Sequence, residues 1–158
     1  MGVEQVKAYF QTLGMADRVR EFQVSSATVE LAAQALGCQP QRIAKTLSFQ
    51  VGEETVLIVA AGDCRIDNGL FKAVFHTKAK MLSAGQVEER TGHPVGGVCP
   101  FAVKEGVRIY LDESLKRFDT VYPACGSPNS AIGLTLEELE RCCPGSSWIQ
   151  VCKRIEAI

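Results

Sequence analysis

Apolar residues recur along this chain at two different spacings, and each spacing marks a type of element. Val3, Val6, Phe10 and Leu13 fall at helical intervals, with Gly14 as a natural stop. Thr28 can cap a second helix, Val29 to Leu36, in which Leu31, Ala32, Ala35 and Leu36 give a small-residue face before Gly37. Pro40 suits the first turn of a short third helix, Gln41 to Ala44. The period then shortens. Thr46 to Val51 and Thr55 to Ala61, separated by the polar Gly52-Glu53-Glu54, predict a β-hairpin. Its second strand is apolar on both faces, which places it centrally in a sheet.

Asp67 or Asn68 can cap a short helix through Phe71 to Phe75, and Lys80 to Leu82 reads as a short strand. Ser83 caps a helix to Arg90, closed by Gly92. His93 to Pro100 is too rich in Gly and Pro for a regular element. Val107 to Leu111 alternates like a strand, and Thr120 to Tyr122 fits another. Thr135-Leu-Glu-Glu138 is a capping box that opens a helix to about Cys143, before Pro144. Trp148 to Val151 is expected to be a last strand. Hairpins mixed with irregularly spaced helices predict an α+β fold with a mixed sheet. No repeat, linker or low-complexity tract divides residues 1–158, so one domain is expected.

Composition narrows the possibilities. With 46% apolar and 22% charged residues, the chain has the make-up of an ordinary globular protein. No apolar run approaches the ~20 residues of a membrane span, and the start lacks the order of a secretion signal, so a cytoplasmic protein is expected. The seven cysteines are odd in number, irregularly spaced and form no C-x-x-C pair, so neither a disulfide framework nor a metal site is indicated. A net charge of -1 does not announce a nucleic-acid partner, so any RNA-binding surface must be local.

Familiar enzyme signatures are absent: no phosphate-binding glycine loop of the Walker type, no G-x-S-x-G and no H-E-x-x-H. Four less familiar features remain. Lys45 stands where the short helix is expected to pass into an apolar strand, where an ammonium can hold a phosphate or a developing oxyanion. A solvated lysine at a helix end is the plainer alternative. Gly96 and Gly97, in the loop Gly92 to Pro100, allow backbone to approach a ligand, or simply make a tight connection. Ser127, Asn129 and Ser130 offer hydroxyl and amide groups beside Gly126, for a structural turn or for binding. Arg65, Lys72, Lys78 and Lys80, with Lys45, form the densest basic region. They suit either a phosphate backbone or a solvated surface.

Taken in order, Thr28 to Ala33 with Gly37, Ile43 to Leu47, Gly62-Asp63, the G-x-x-x-P loop Gly96 to Pro100, and Gly126-Ser127 resemble the YbaK/prolyl-tRNA-synthetase editing-domain family. The resemblance runs from about residue 3 to residue 152. It implies a mixed, partly barrel-like sheet surrounded by helices, with a pocket for the aminoacyl group on the 3′-terminal adenosine of tRNA. It implies a deacylase that removes a small amino acid (alanine, cysteine, serine, threonine or similar) from mischarged tRNA. No cofactor is implied. The expected partners are charged tRNA and an aminoacyl-tRNA synthetase. Lys45 would be the essential lysine, and Gly96 and Gly97 would lie against the ester. Thr28, Val98, Cys99, Pro100, Gly126, Ser127 and Asn129 would line the substrate site. Arg65, Lys72, Lys78 and Lys80 would meet the tRNA.

Two rivals stand beside this reading. One is a non-catalytic module of the same fold that binds tRNA or an aminoacyl ligand. The other is a thiol hydrolase using Cys99 with His93, which share one Gly/Pro loop.

Overall fold

Val6 and Phe10 lie one helical turn apart and are fully buried, so Val3–Thr12 (α1) packs as a helix against the core. Residues 2–155 are described by a computed structural model of the protein. After a 3₁₀ turn at Ala16–Arg18 and the two-residue strand Arg20–Glu21 (β1), the helix Val29–Leu36 (α2) begins at Thr28. The Thr28 hydroxyl accepts a hydrogen bond from the Leu31 N–H at 3.2 Å, and Gly37 closes the helix in the left-handed region. The face that α2 buries is Ala32 and Ala33, whereas Leu31 is exposed.

The expected helix after Pro40 is only the 3₁₀ turn Pro40–Arg42. The strand that follows, Ile43–Val51 (β2), starts three residues earlier than its alternation suggests, because Ile43 and Ala44 pair with Tyr122 and Pro123. Lys45 therefore stands inside a strand rather than at a helix-to-strand junction. Strand Glu54–Ala61 (β3) returns antiparallel, and all but its first residue is buried, as its apolar run predicts.

The remaining elements are Cys64–Ile66 (β4), Asn68–Phe75 (α3, capped by Asp67), Ala84–Thr91 (α4), Arg108–Asp112 (β5) and Thr120–Pro123 (β6). Then come Ser130–Ala131 (β7), Leu134–Thr135 (β8), Leu136–Cys142 (α5), Ser147–Ile149 (β9) and Cys152–Arg154 (β10). A curled, half-barrel six-stranded sheet has the order β8-β6-β2-β3-β5-β9. Its pairings are mixed: β2–β3 and β6–β8 are antiparallel, whereas β2–β6, β3–β5 and β5–β9 are parallel. Two short antiparallel ribbons, β1–β7 and β4–β10, close its flanks.

Two expected strands come out differently. Lys80–Leu82 makes a single bridge, Met81 to Phe49. The expected strand Trp148–Val151 is interrupted, because the buried Asp112 carboxylate accepts the Val151 N–H at 2.9 Å. The chain thereby leaves β5 and joins β4 instead. Among the described residues no helix is long and apolar enough to cross a membrane.

Candidate active site

The outer edge of β2 is covered at both ends and open in the middle. At one end Ala44 is paired with Pro123 of β6. At the other, the Ser48 carbonyl accepts from Leu82 N at 3.1 Å and the Gln50 N–H donates to Lys80 O at 2.9 Å. Backbone groups alternate sides along an antiparallel ladder. Ser48 and Gln50 turn outward, so Thr46 turns outward too, with no strand among the described residues reaching it on that side. The Thr46 side-chain oxygen is also buried without a hydrogen-bond partner among the described residues.

A cavity of about 330 Å³ lies over this gap. One wall is Ser26, Ala27 and Thr28 with Val29 and Ala32 of α2, and the floor is Ile43 to Leu47 of β2. Gly96 and Val98 close one side, and Tyr122, Ala124, Ser130 and Ala131 close the other. Lys45 enters from the floor. Its ammonium donates to the carbonyl oxygens of Gly62 (3.4 Å) and Cys64, in the turn between β3 and β4. An ammonium has three donors, so one N–H remains for a ligand.

The glycine loop and the serine loop meet beside the cavity. A Cβ on Gly97 would stand 2.5 Å from the Ser127 nitrogen and 2.7 Å from the Gly126 carbonyl carbon, so the two backbones pack directly together. Gly96, at φ 86°, lies between Ala27 and Pro128. The Ser127 Oγ is 2.9 Å from Asn129 Oδ1 and 2.7 Å from the Oγ of Ser130, which lines the cavity. Asn129 Nδ2 donates to the Phe22 carbonyl at 2.9 Å and so ties down the strand leading to the opposite wall.

The aminoacyl-tRNA editing domain model matches residues 24–142 of the chain. The chain belongs to this family. The uncharacterized protein YwhH of Bacillus subtilis is 51% identical over 154 residues, covering 97% of this chain and 98% of that protein. A proline--tRNA ligase of Maridesulfovibrio salexigens is 37% identical over 89 residues, 56% of this chain but only 15% of the ligase. A solved structure described as a candidate trans-editing enzyme for prolyl tRNA synthetase superposes with a TM-score of 0.86. It is 28% identical, and the match covers 96% of each chain.

Of the residues singled out in the sequence of this editing-domain protein, Lys45, Thr28, Gly96 and Val98 line the cavity. Gly97, Gly126, Ser127 and Asn129 stand behind them. Cys99 and Pro100 are buried underneath. Arg65, Lys72, Lys78 and Lys80 are exposed and line no part of it. Lys80 sits against Gln50, five residues along β2 from Lys45, whereas Arg65 lies on β4 beside the turn that holds Lys45. Sequence reasoning missed Thr46, because its exposure depends on where β6 stops. Among the described residues no three His, Cys, Asp or Glu side chains gather to hold a metal.

The Cys99–His93 pair exists but is sealed. Cys99 Sγ is 3.5 Å from His93 Nε2, and both residues are wholly buried. That nitrogen also lies 2.6 Å from the Phe101 carbonyl, which accepts its proton and leaves Nδ1 as the bare, unpartnered acceptor. The nitrogen facing the thiol is therefore a donor and not a base. Burial pushes the Cys99 thiol up to about 12 and the His93 imidazole below its ordinary value.

Proposed function

We propose that this protein hydrolyses the ester of mischarged aminoacyl-tRNA carrying a small amino acid, in trans and without a cofactor. The observation that supports it best is a cavity whose floor carries both Lys45 and the unpaired Thr46 edge. An aminoacyl ester is already activated and needs no protein nucleophile. Water adds to the carbonyl carbon, the carbonyl oxygen becomes an oxyanion, and the bond to the ribose oxygen breaks. That oxygen leaves as a hydroxyl on taking up the proton that the attacking water releases, and the products are free amino acid and tRNA. The outward Thr46 N–H and the free donor of Lys45 stabilise the oxyanion, while the Thr46 carbonyl accepts from the α-ammonium.

Alanine walls and a volume of about 330 Å³, shared between the amino acid and the terminal ribose, favour a small side chain. Ser26, Thr28 and Ser130 add hydroxyls that suit serine or threonine as well as alanine or cysteine. One methylene in such a site is worth only about 1–3 kcal/mol, so discrimination among small residues is graded. A substrate of this kind places the work in the cytoplasm, downstream of a synthetase that has made the error.

The test is a deacylation panel: tRNA charged with alanine, cysteine, serine, threonine or phenylalanine, incubated with wild type and Lys45→Ala. Release of a small amino acid by wild type and its loss in the variant is the expected result. Tight binding of charged tRNA with no release would make the protein a binding module. Fastest release of phenylalanine would sink the small-substrate reading.

A further inference from the structure

We propose that Arg42, Arg65, Arg117 and Arg154 form the surface that carries the phosphates of the tRNA 3′ strand to the cavity. This rests on the deacylase reading and adds to it the route by which an RNA reaches a chain of net charge -1. The route cannot rely on overall attraction, so a local excess of positive charge has to adjoin the mouth.

A continuous series of contacts leads from Lys45 to these arginines. The carbonyls that hold Lys45 belong to Gly62 and Cys64. Cys64 pairs with Arg154, and Arg65 with Lys153, in the β4–β10 ribbon. Between those carbonyls, Asp63 accepts from Arg117 at 2.5 and 3.0 Å and forms an ion pair with Arg154 at 3.4 Å. The guanidinium of Arg117 lies 4.8 Å from the centre of the Phe118 ring, and that of Arg42 lies 5.1 Å from the same centre. Arg42 directly precedes Ile43, which lines the cavity. Its turn is packed on the Lys45-holding turn so closely that a Cβ on Gly62 would come 2.1 Å from the Pro40 carbonyl oxygen.

Among the described residues the charge balance of this surface is positive. The four arginines adjoin one contacting carboxylate, Asp63, which Arg117 and Arg154 share, and the exposed Asp119 follows Phe118. The neighbouring Lys153 is matched by Asp67 and Lys116 by Glu113, so those pairs cancel. Arg65 is exposed and makes no ion pair among the described residues. The residue type matters too. A guanidinium presents a planar fork that grips phosphate with two N–H donors and is more weakly hydrated than an ammonium. Resting on Phe118, the Arg42 guanidinium is already ordered, which reduces the entropy lost on binding, whereas the Arg117 fork is held bidentately by Asp63 and contributes its charge. Lys80 offers none of this: it backs the covered end of β2, away from the mouth.

The experiment compares Arg42→Glu and Arg65→Glu with Lys72→Glu and Lys80→Glu, all four being surface changes checked by thermal melts. Each is assayed on charged tRNA over a range of salt, and on an aminoacyl-adenosine, which has the ester but no phosphate. Uncharged tRNA binding is measured in parallel. The arginine variants are expected to raise KM for charged tRNA about tenfold or more at low salt. They should also flatten the dependence of log KM on log salt by about 0.7 for each phosphate that is no longer neutralised. Their turnover of aminoacyl-adenosine should equal wild type, and the lysine variants should match wild type throughout. Equal losses in the lysine variants, or an unchanged KM in the arginine ones, would overturn the proposal. If wild type cleaves neither substrate, the deacylase reading fails by itself. The binding of uncharged tRNA then decides the surface: weakened by the arginine changes it stands, unchanged it falls.

Discussion

Two constellations in this molecule bring reactive groups together, and they differ in everything that permits a reaction. Cys99 and His93 have a nucleophile and an imidazole 3.5 Å apart, but no substrate can reach them and the facing nitrogen already carries a proton committed to Phe101. Lys45 and Thr46 have no obvious nucleophile between them. They do have a cavity, a free ammonium donor and backbone groups on an unpaired strand edge. For an ester already primed for attack by water, donors fixed where charge develops matter more than a thiol. A strand edge that is covered on either side and open at one residue retains polar groups for a ligand. Access and unspent hydrogen-bonding capacity, not proximity, separate a site from a packed core.

The largest way to break the comparison is Lys45→Ala. If the ammonium faces the developing oxyanion as proposed, its removal should cost about 10²–10³ in kcat/KM, with the fold kept. A folded Lys45→Ala enzyme that deacylates within threefold of wild type would take the ammonium out of the chemistry.

Gly97→Val comes next. Its Cβ would press on the Ser127 backbone at 2.5 Å, so the glycine and serine loops must separate, and with them two walls of the cavity. A loss of more than tenfold in kcat/KM is expected, at least about 1.4 kcal/mol on the transition state, together with a lower Tm. Normal kinetics in a folded variant would mean that the contact between the loops does not shape the site.

Thr46→Val sharpens the comparison because stability and activity should move in opposite directions. The orphaned hydroxyl is a cost in the free protein, and valine fits a strand in nearly the same shape. The variant should unfold at higher denaturant, yet lose about 2- to 10-fold in kcat/KM if Oγ1 donates to substrate, the worth of one hydrogen bond. A less stable variant with unchanged kinetics would take the Thr46 hydroxyl out of substrate binding and leave only the backbone groups of that edge, which valine keeps.

What the sequence made legible follows from the range of each interaction. The caps at Thr28, Ser83 and Thr135 span three residues, and the hairpin about the Gly52 turn spans nine or fewer on either side, so local pattern suffices. The open edge at Thr46 was not legible. It depends on Ile43 and Ala44 meeting Tyr122 and Pro123 from far along the chain, and on β6 ending there. The split of the last strand likewise rests on Asp112 capturing the Val151 N–H. Lys45 and the glycine loop stood out through family resemblance. The Cys99–His93 pair was visible as proximity on one loop, and only burial, which the local pattern does not carry, disqualifies it.

The smallest expected effect on turnover belongs to that sealed pair. Cys99→Ala should keep kcat/KM within about twofold, and a thiol-alkylating reagent should leave the folded enzyme active. The cost should fall on stability, about 1 kcal/mol for a small buried group deleted from a close-packed interior. His93 adds a pH signature of its own. Burial lowers its folded-state value below the ordinary 6.5, so the folded imidazole stays neutral where the unfolded one takes up a proton. Its contribution to stability is therefore fully present above about pH 6.5 and declines as pH falls from there through the folded value. Denaturant unfolding from pH 8 to pH 5 should show this decline in wild type and in Cys99→Ala alike, because the imidazole is enclosed in both. In His93→Gln, which keeps a donor for the Phe101 carbonyl but has no ionisable ring, the decline over that window should be smaller. A wild-type decline that persists undiminished in His93→Gln would show that other groups set it. A Cys99→Ala enzyme that folds but no longer releases amino acid would return the thiol to the mechanism and reverse the ranking of the two constellations.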